Sequence, residues 1–278
     1  MPYLTKSKQI AAIGAELPPF PSVIQQLLDH LREDSAPFDC LVRIARTDSV
    51  VSSAILSAAN RLRRMRLQPD TSDMFSAASL IGTNKLQQIV ISAGMNHFVS
   101  ECSGQRFFYE HSLAVAIVAH ELAMLTQVST DEAYIAGILH DIGQLAYFIV
   151  DAKRYQEVRH QVEQGGDLLA LEAEGFGLNH CEVGLLLGSH WQLPQNILLA
   201  IGTHHDSSNR WQNKLHAVIH LAETICRGLD LPHSPHNHVL SVNASALEYL
   251  GLSWESPALQ DLFARSSVRF AFSKTGAN

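Results

Sequence analysis

Apolar residues along this chain recur at intervals of three and four, and polar cap and turn signals repeatedly end the runs. Val23, Ile24, Leu27, Leu28 and Leu31 form one such stripe after Leu17-Pro-Pro-Phe-Pro-Ser22, whose prolines stiffen the approach to a helix. The same spacing predicts helices near 39–46 and 49–60, the second with alanines at 54, 58 and 59 that permit close contact. Two more follow at 72–80 and 84–93, divided by Gly82 and Thr83. Residues 107–125 give a longer helix with His111, Val115, Val118, Leu122 and Leu125 on one broad face, while His120 falls nearly opposite.

Ser129-Thr-Asp-Glu132 has capping-box spacing and is expected to start a helix that runs through Ala136, His140, Asp141 and Gly143. A charged surface helix is expected over 152–164, closed by Gly165-Gly166, and a short one over 167–174. Asn179-His-Cys-Glu182 caps another that runs toward Trp191, and the apolar helix after Pro194 ends at His204 and His205. The last major helix, 211–227, carries His216, Ile219, His220 and Glu223 toward one side. A histidine-bearing loop, Pro232–His238, and two short C-terminal helices complete the chain, and residues 1–16 read as a loosely attached lead-in. No strand series with hairpin signals interrupts this order, so the expected class is all-α.

Composition narrows the function classes. The 278 residues are 46% hydrophobic and 17% charged, enough apolar material for a sizeable core. A net charge of -7 and a pI near 6.1 argue against a general attraction to nucleic acid. Cysteines at 40, 102, 181 and 226 form neither a close pair nor a zinc-ligand spacing, and read as ordinary thiols of a reducing compartment. Without a leader pattern or a membrane span in view, the expected location is the cytoplasm.

The candidate chemistry centres on His140-Asp141, two polar residues at the end of an apolar run. Such residues need a partner, a metal or a hydrogen-bond network. Imidazole nitrogens and carboxylate oxygens are ligands for iron, manganese, zinc and related divalent ions. One set would place His111, His140, Asp141 and Glu223 around a first ion; a second oxygen of Asp141 would reach another ion held by His180, His204 and His205. Two such ions can share a water, lower its pKa and offset charge building on a phosphoryl group. Imidazoles satisfied by backbone carbonyls, without metal, fit the same sequence, and spacing alone leaves both readings open. Separately, Arg61, Arg63, Arg64 and Arg66 could hold a phosphate or an acidic partner, although a solvated basic helix end accounts for them more simply.

The order His111, His140-Asp141, His180, His204-His205 resembles the HD superfamily of metal-dependent phosphohydrolases. More narrowly it resembles the HDOD branch, related to the HD-GYP phosphodiesterases. The resemblance is carried by Leu17-Pro-Pro-Phe-Pro21, Asp48-Ser-Val-Val-Ser-Ser-Ala-Ile-Leu-Ser-Ala-Ala-Asn60, Glu110-His-Ser-Leu-Ala-Val-Ala116, Ala136-Gly-Ile-Leu-His-Asp-Ile-Gly143, His180-Cys-Glu-Val-Gly184 and Trp191-Gln-Leu-Pro194. It implies an HDOD-like helical domain over 17–225, with an N-terminal helical part at 17–100 and an HD-like, metal-site part at 105–225. A C-terminal helical extension at 226–278 follows. It maps the metal ligands onto His111, His140, Asp141, His180, His204 and His205, with Glu223 at the position of a final aspartate, one methylene longer. One or two divalent ions are implied, iron or manganese ahead of zinc or magnesium. The Gly-Tyr-Pro signature of the HD-GYP branch does not occur in the sequence, which argues against cyclic-di-GMP hydrolysis. The resemblance implies a signalling or regulatory protein with a retained metal site. Its partner would be a signalling protein or a small phosphorylated ligand. The alternative is a phosphohydrolase or phosphodiesterase acting on a nucleotide or other phosphoester through metal-activated water, with Asp141 as the bridging group. Oligomeric state is left open.

Overall fold

Asp48, Asp73, Ser129, Asp167, Asn179, Asn213 and Asn243 each cap the start of a helix in the computed structural model, which describes residues 20–32, 38–102, 106–206, 208, 210–234, 237 and 241–275. Fourteen helices and no strand occur among the described residues. The lead-in, the start of the proline-rich approach, and His236 and His238 lie outside them. The chain divides into two compact units: Pro19–Phe98 with Val268–Asn278, and a larger one built on Val99–Ser267.

The smaller unit holds α1 (Ser22–Arg32), α2 (Phe38–Ala45), α3 (Ser49–Met65), α4 (Met74–Ile81) and most of α5 (Thr83–Cys102). The predicted stripe is its core, with Val23, Ile24, Leu27 and Leu28 all buried. Gly94 of α5 faces it so closely that an added Cβ would lie 3.0 Å from Ile24 Cγ1. Asp48 caps α3 by accepting from Val50 N at 2.8 Å and Val51 N at 3.0 Å, a contact type worth about 1 kcal/mol. The helix continues past the expected end at 60 into the arginine-rich segment. There Arg63 Nε donates to Pro69 O (2.5 Å), and Arg64 Nε donates to Asn60 O (3.2 Å) and lies 3.5 Å from Asp70 Oδ1. Two of the four guanidinium groups therefore fasten their own helix end and the link after it, while Arg61 and Arg66 are exposed.

The larger unit contains α6 (Arg106–Thr126), α7 (Thr130–Leu139), α8 (Ile142–Glu163), α9 (Leu168–Phe176), α10 (His180–His190), α11 (Gln195–Thr203), α12 (Lys214–Gly228), α13 (Ala244–Leu250) and the first part of α14 (Pro257–Thr275). Glycines set its closest approaches. A Cβ on Gly137 would lie 2.6 Å from Ala116 Cα, so α6 and α7 cross backbone against backbone. A Cβ on Gly143 would lie 2.0 Å from His180 O, so the first turns of α8 and α10 touch in the same way. Arg265 Nε of α14 pairs with the buried Glu121 carboxylate of α6 at 2.7 Å.

Two expectations need correction. The helix begun at Ser129 does not carry on through Asp141. It ends at Leu139, His140 is its C-cap, and Asp141 (φ -98°, ψ 10°) opens α8. The apolar pattern runs on without a break, but the buried polar pair is accommodated by a turn closed by Gln144 N donating to Asp141 O at 2.8 Å. Second, the helix expected on the surface from 152 is the continuation of α8 after an extended residue, Asp151 (φ -159°, ψ 82°), whose carboxylate accepts from Arg154 N. It buries Tyr155 and Val158 in a cluster with Tyr147, Leu178, Val183 and Leu187. Among the described residues, one stretch is long and apolar enough to cross a membrane, Thr130–Glu163; it is broken at His140-Asp141, and 83% of its apolar window is buried inside the protein.

Candidate metal centre

Two of the candidate ligands are placed by the same local device. His140 is the C-cap of α7 and His204 the C-cap of α11. In each, the ring turns back onto its own helix, and Nδ1 donates to the carbonyl three residues earlier, Gly137 O at 2.7 Å and Ile201 O at 2.8 Å. Those carbonyls belong to a last turn that has no amide of its own to accept from. A carbonyl only accepts, so Nδ1 carries the proton and Nε2 of the neutral ring presents a lone pair. His180, in the first turn of α10, is held from the opposite direction: Glu172 Oε2 lies 2.6 Å from its Nδ1 and 2.8 Å from its backbone N.

The Nε2 atoms converge on Asp141. Its Oδ1 lies 3.2 Å from His180 Nε2 and 3.4 Å from His204 Nε2. Its Oδ2 lies 3.4 Å from His140 Nε2 and 3.8 Å from His111 Nε2. Glu223 Oε2 closes the second side, 2.9 Å from His111 Nε2 and 3.4 Å from His140 Nε2. His205 completes the first side, its ring centroid 5.0 Å from that of His180 and 4.3 Å from that of His204. All seven expected residues are thus brought together, in two donor sets that share one carboxylate: Asp141, His180, His204, His205; and His111, His140, Asp141 with Glu223 beside them. All are buried except His205, which is half-buried. Arg61, Arg63, Arg64 and Arg66, at the end of α3 and its C-cap, belong to the other unit.

The donor atoms meet without hydrogen-bonding one another well. Of seven buried side-chain N or O atoms that lack a hydrogen-bond partner among the described residues, four are His111 Nε2, His140 Nε2, Asp141 Oδ1 and Glu223 Oε2. His180 Nε2 and His204 Nε2 lie 3.3 Å apart, two lone pairs if both rings are neutral. Lone pairs aimed at carboxylate oxygens repel unless positive charge lies between them, as a proton or a metal ion. The set therefore fits a divalent cation on each side of Asp141.

Without a metal, protons take that place. Burial would depress His140, but the Asp141 charge and its contacts with Asp141 and Glu223 raise its pKa to about 10. The His180 pKa rises against burial through Asp141, and that of His204 through Cys181 and Asp141. Burial and the neighbouring His204 and His180 hold His205 well below its ordinary value. The Asp141 carboxyl is held well below the usual range, against burial, by His140 and His180; Glu223 is lowered in the same way by Arg227 and His111.

Sequence reading missed the groups behind these ligands. Arg227 Nε is hydrogen-bonded to Glu223 Oε1, which leaves Oε2 for the imidazoles. The spacing of four along one helix was the available signal. Glu172, fully buried, gave none, because the chain turns back at Gly177 (φ 83°) before reaching His180. Cys181 Sγ lies 3.8 Å from His204 Nδ1; burial raises its pKa but the charge on His204 brings it to about 6. His120 packs edge-on against Tyr134.

An HDOD domain protein of unknown function from Geobacter sulfurreducens is 23% identical, with a TM-score of 0.69 over 94% of this chain and 89% of that one. A candidate signal transduction protein from Marinobacter aquaeolei VT8 is 18% identical, with a TM-score of 0.77 over 95% of this chain and 60% of that one. A candidate phosphohydrolase from Shewanella amazonensis SB2B is 24% identical, with a TM-score of 0.69 over 93% of each. At these identities the likeness is one of fold. An uncharacterized protein of Treponema pallidum (strain Nichols) is 21% identical over 210 residues; the match takes in 73% of this chain and 41% of that protein's length. Residues 17–207 match the HDOD domain, and the chain belongs to the HDOD domain family.

Proposed function

We propose that this chain is a signalling or regulatory HDOD protein whose buried cluster holds one or two divalent metal ions. One observation carries the reading: the two oxygens of Asp141 face two separate imidazole sets at 3.2 to 3.8 Å, an arrangement suited to a bridging carboxylate. Mixed imidazole and carboxylate donors suit iron and manganese, whereas magnesium prefers oxygen ligands throughout. The depth of the cluster favours regulation, since His140, Asp141, His180 and His204 are each 3% exposed or less. The Marinobacter protein of this fold is described as a candidate signal transduction protein. The partner would be a signalling protein or a small phosphorylated ligand.

A second reading, metal-dependent hydrolysis of a phosphoester, is favoured by His205. Half-buried, it leaves the His180 and His204 side of the cluster nearer to solvent. Bound ions would there supply positive charge to a phosphoryl group and acidify water. Asp141 would hold the two sets in register, and Arg227 would keep Glu223 turned toward His111 and His140.

Elemental analysis of untagged protein separates the outcomes. Wild type is expected to carry metal and Asp141→Ala to lose most of it; equal metal content in the two overturns the metal reading. A screen against phosphomonoesters, nucleotides and cyclic dinucleotides follows. Turnover abolished by Asp141→Ala establishes the hydrolase, and metal without turnover supports the regulatory protein.

A further inference from the structure

Glu172 poses a problem that the metal ligands do not. It is fully buried in α9, beside the aromatic cluster of Tyr147, Tyr155 and Phe176. Its Oε2 accepts from both the backbone N–H and the ring Nδ1–H of His180, and its Oε1 lies 3.2 Å from the Tyr155 hydroxyl, which also reaches Gln144 Oε1 at 2.9 Å. A glutamine could make these same contacts. Its amide oxygen would accept both His180 protons and its NH₂ would face the tyrosine oxygen, without the cost of burying a charge. A carboxylate here is thus a burden on packing that calls for a reason.

The reason lies in what separates His180 from the other two fixed imidazoles. His140 and His204 give their Nδ1 protons to neutral carbonyls, whereas His180 gives its proton to a carboxylate. An anionic acceptor makes the opposite nitrogen a stronger donor to a cation and fixes the ring orientation. The single oxygen shared by ring and backbone locks the side chain relative to the first turn of α10, with Nε2 aimed at Asp141 Oδ1 and beside His204 Nε2.

We propose that Glu172 is a positioning residue for the Asp141, His180, His204 and His205 set, and that its charge makes the two metal positions unequal. This rests on the metal reading above and deepens it. Loss of the charge weakens the ion on the His180 side and leaves the ion on the His111 side as it was.

The test titrates metal-free full-length protein with Co²⁺, read by calorimetry and by visible absorption, which reports the ligand field of each bound ion. Wild type is expected to bind two ions. Glu172→Gln is expected to retain one at wild-type affinity with its spectrum unchanged, and to bind the other about 10–100-fold more weakly. Asp141→Ala is expected to lose both. Two unaltered events in Glu172→Gln, or equal weakening of both, overturn the role of Glu172 while the metal reading stands. A wild type that binds a single Co²⁺ overturns the role of Glu172, and one that binds none overturns both. A measurement on unsubstituted protein guards against a variant that fails to fold. Nitrogen-15 NMR of the Zn²⁺-loaded chain should show the His180 proton on Nδ1 in a strong hydrogen bond, and a proton on Nε2 refutes the assignment.

Discussion

Glu223 shows how a neighbour on the same helix aims a carboxylate. Arg227, one turn further along α12, takes Oε1 and leaves Oε2 facing His111 and His140. The residue scale also governs how the metal-free protein responds to pH. His140 is raised from 6.5 to about 10, and His180 and His204 are raised as well, so their contribution is complete below 6.5 and is lost as pH rises toward the folded values. His205, His216 and His220 are lowered, chiefly by burial, so their contribution is complete above 6.5 and is lost on acidification. Cys181, lowered to about 6, adds stability as pH rises, but the three raised histidines outnumber it, so the metal-free protein should melt highest near pH 6.5 and lower at about pH 8.5, and a melting temperature that keeps rising over that interval would contradict this account. Metal affinity should grow over the same interval, because each ion displaces protons. The residues that cluster were legible in the sequence, since His111, His140-Asp141, His180, His204-His205 and Glu223 stand at ends and faces of readable helices. Their supporting groups were not: the contact between Glu172 and His180 depends on a chain reversal that periodicity does not encode.

At the scale of elements, the centre depends on helices brought closer than ordinary side chains allow. Gly143→Ala would set a methyl against His180 O, a backbone atom that cannot rotate away, and would force α8 and α10 apart. A loss of about 3 kcal/mol or more is expected from such overpacking, together with reduced metal content because His180 moves. Gly202→Ala is the control: its nearest contacts are Leu185 side-chain atoms at 3.6 Å, and the change should be nearly neutral. Denaturant midpoints of the two variants, with metal analysis, check this, and equal midpoints would refute it. The helices were legible from their caps and stripes, Ser129 and Asn179 each capping as read. The break between α7 and α8 was not, because Ile135, Ala136, Ile138, Leu139 and Ile142 are buried on both sides of it and continue one apolar pattern.

For the whole molecule, ions that bind the native state alone stabilise it by about 2.7 kcal/mol at a free concentration one hundred times the dissociation constant. Chelation followed by calorimetry should lower the melting temperature of wild type and leave that of Asp141→Ala unmoved; no change in wild type would speak against tightly held metal. The all-helical class and the HDOD family were legible from the whole chain. The division of the chain was less so, since its limits fall inside α5 and α14, where the helical pattern does not change.

His140 and His204 each complete the last turn of their own helix. Their orientation is therefore settled by secondary structure and does not wait for anything to bind. A cradle assembled in this way keeps its geometry when empty, so the pace of ion exchange is expected to follow the loss of protons and passage around the half-buried His205 ring, not rebuilding of the helices.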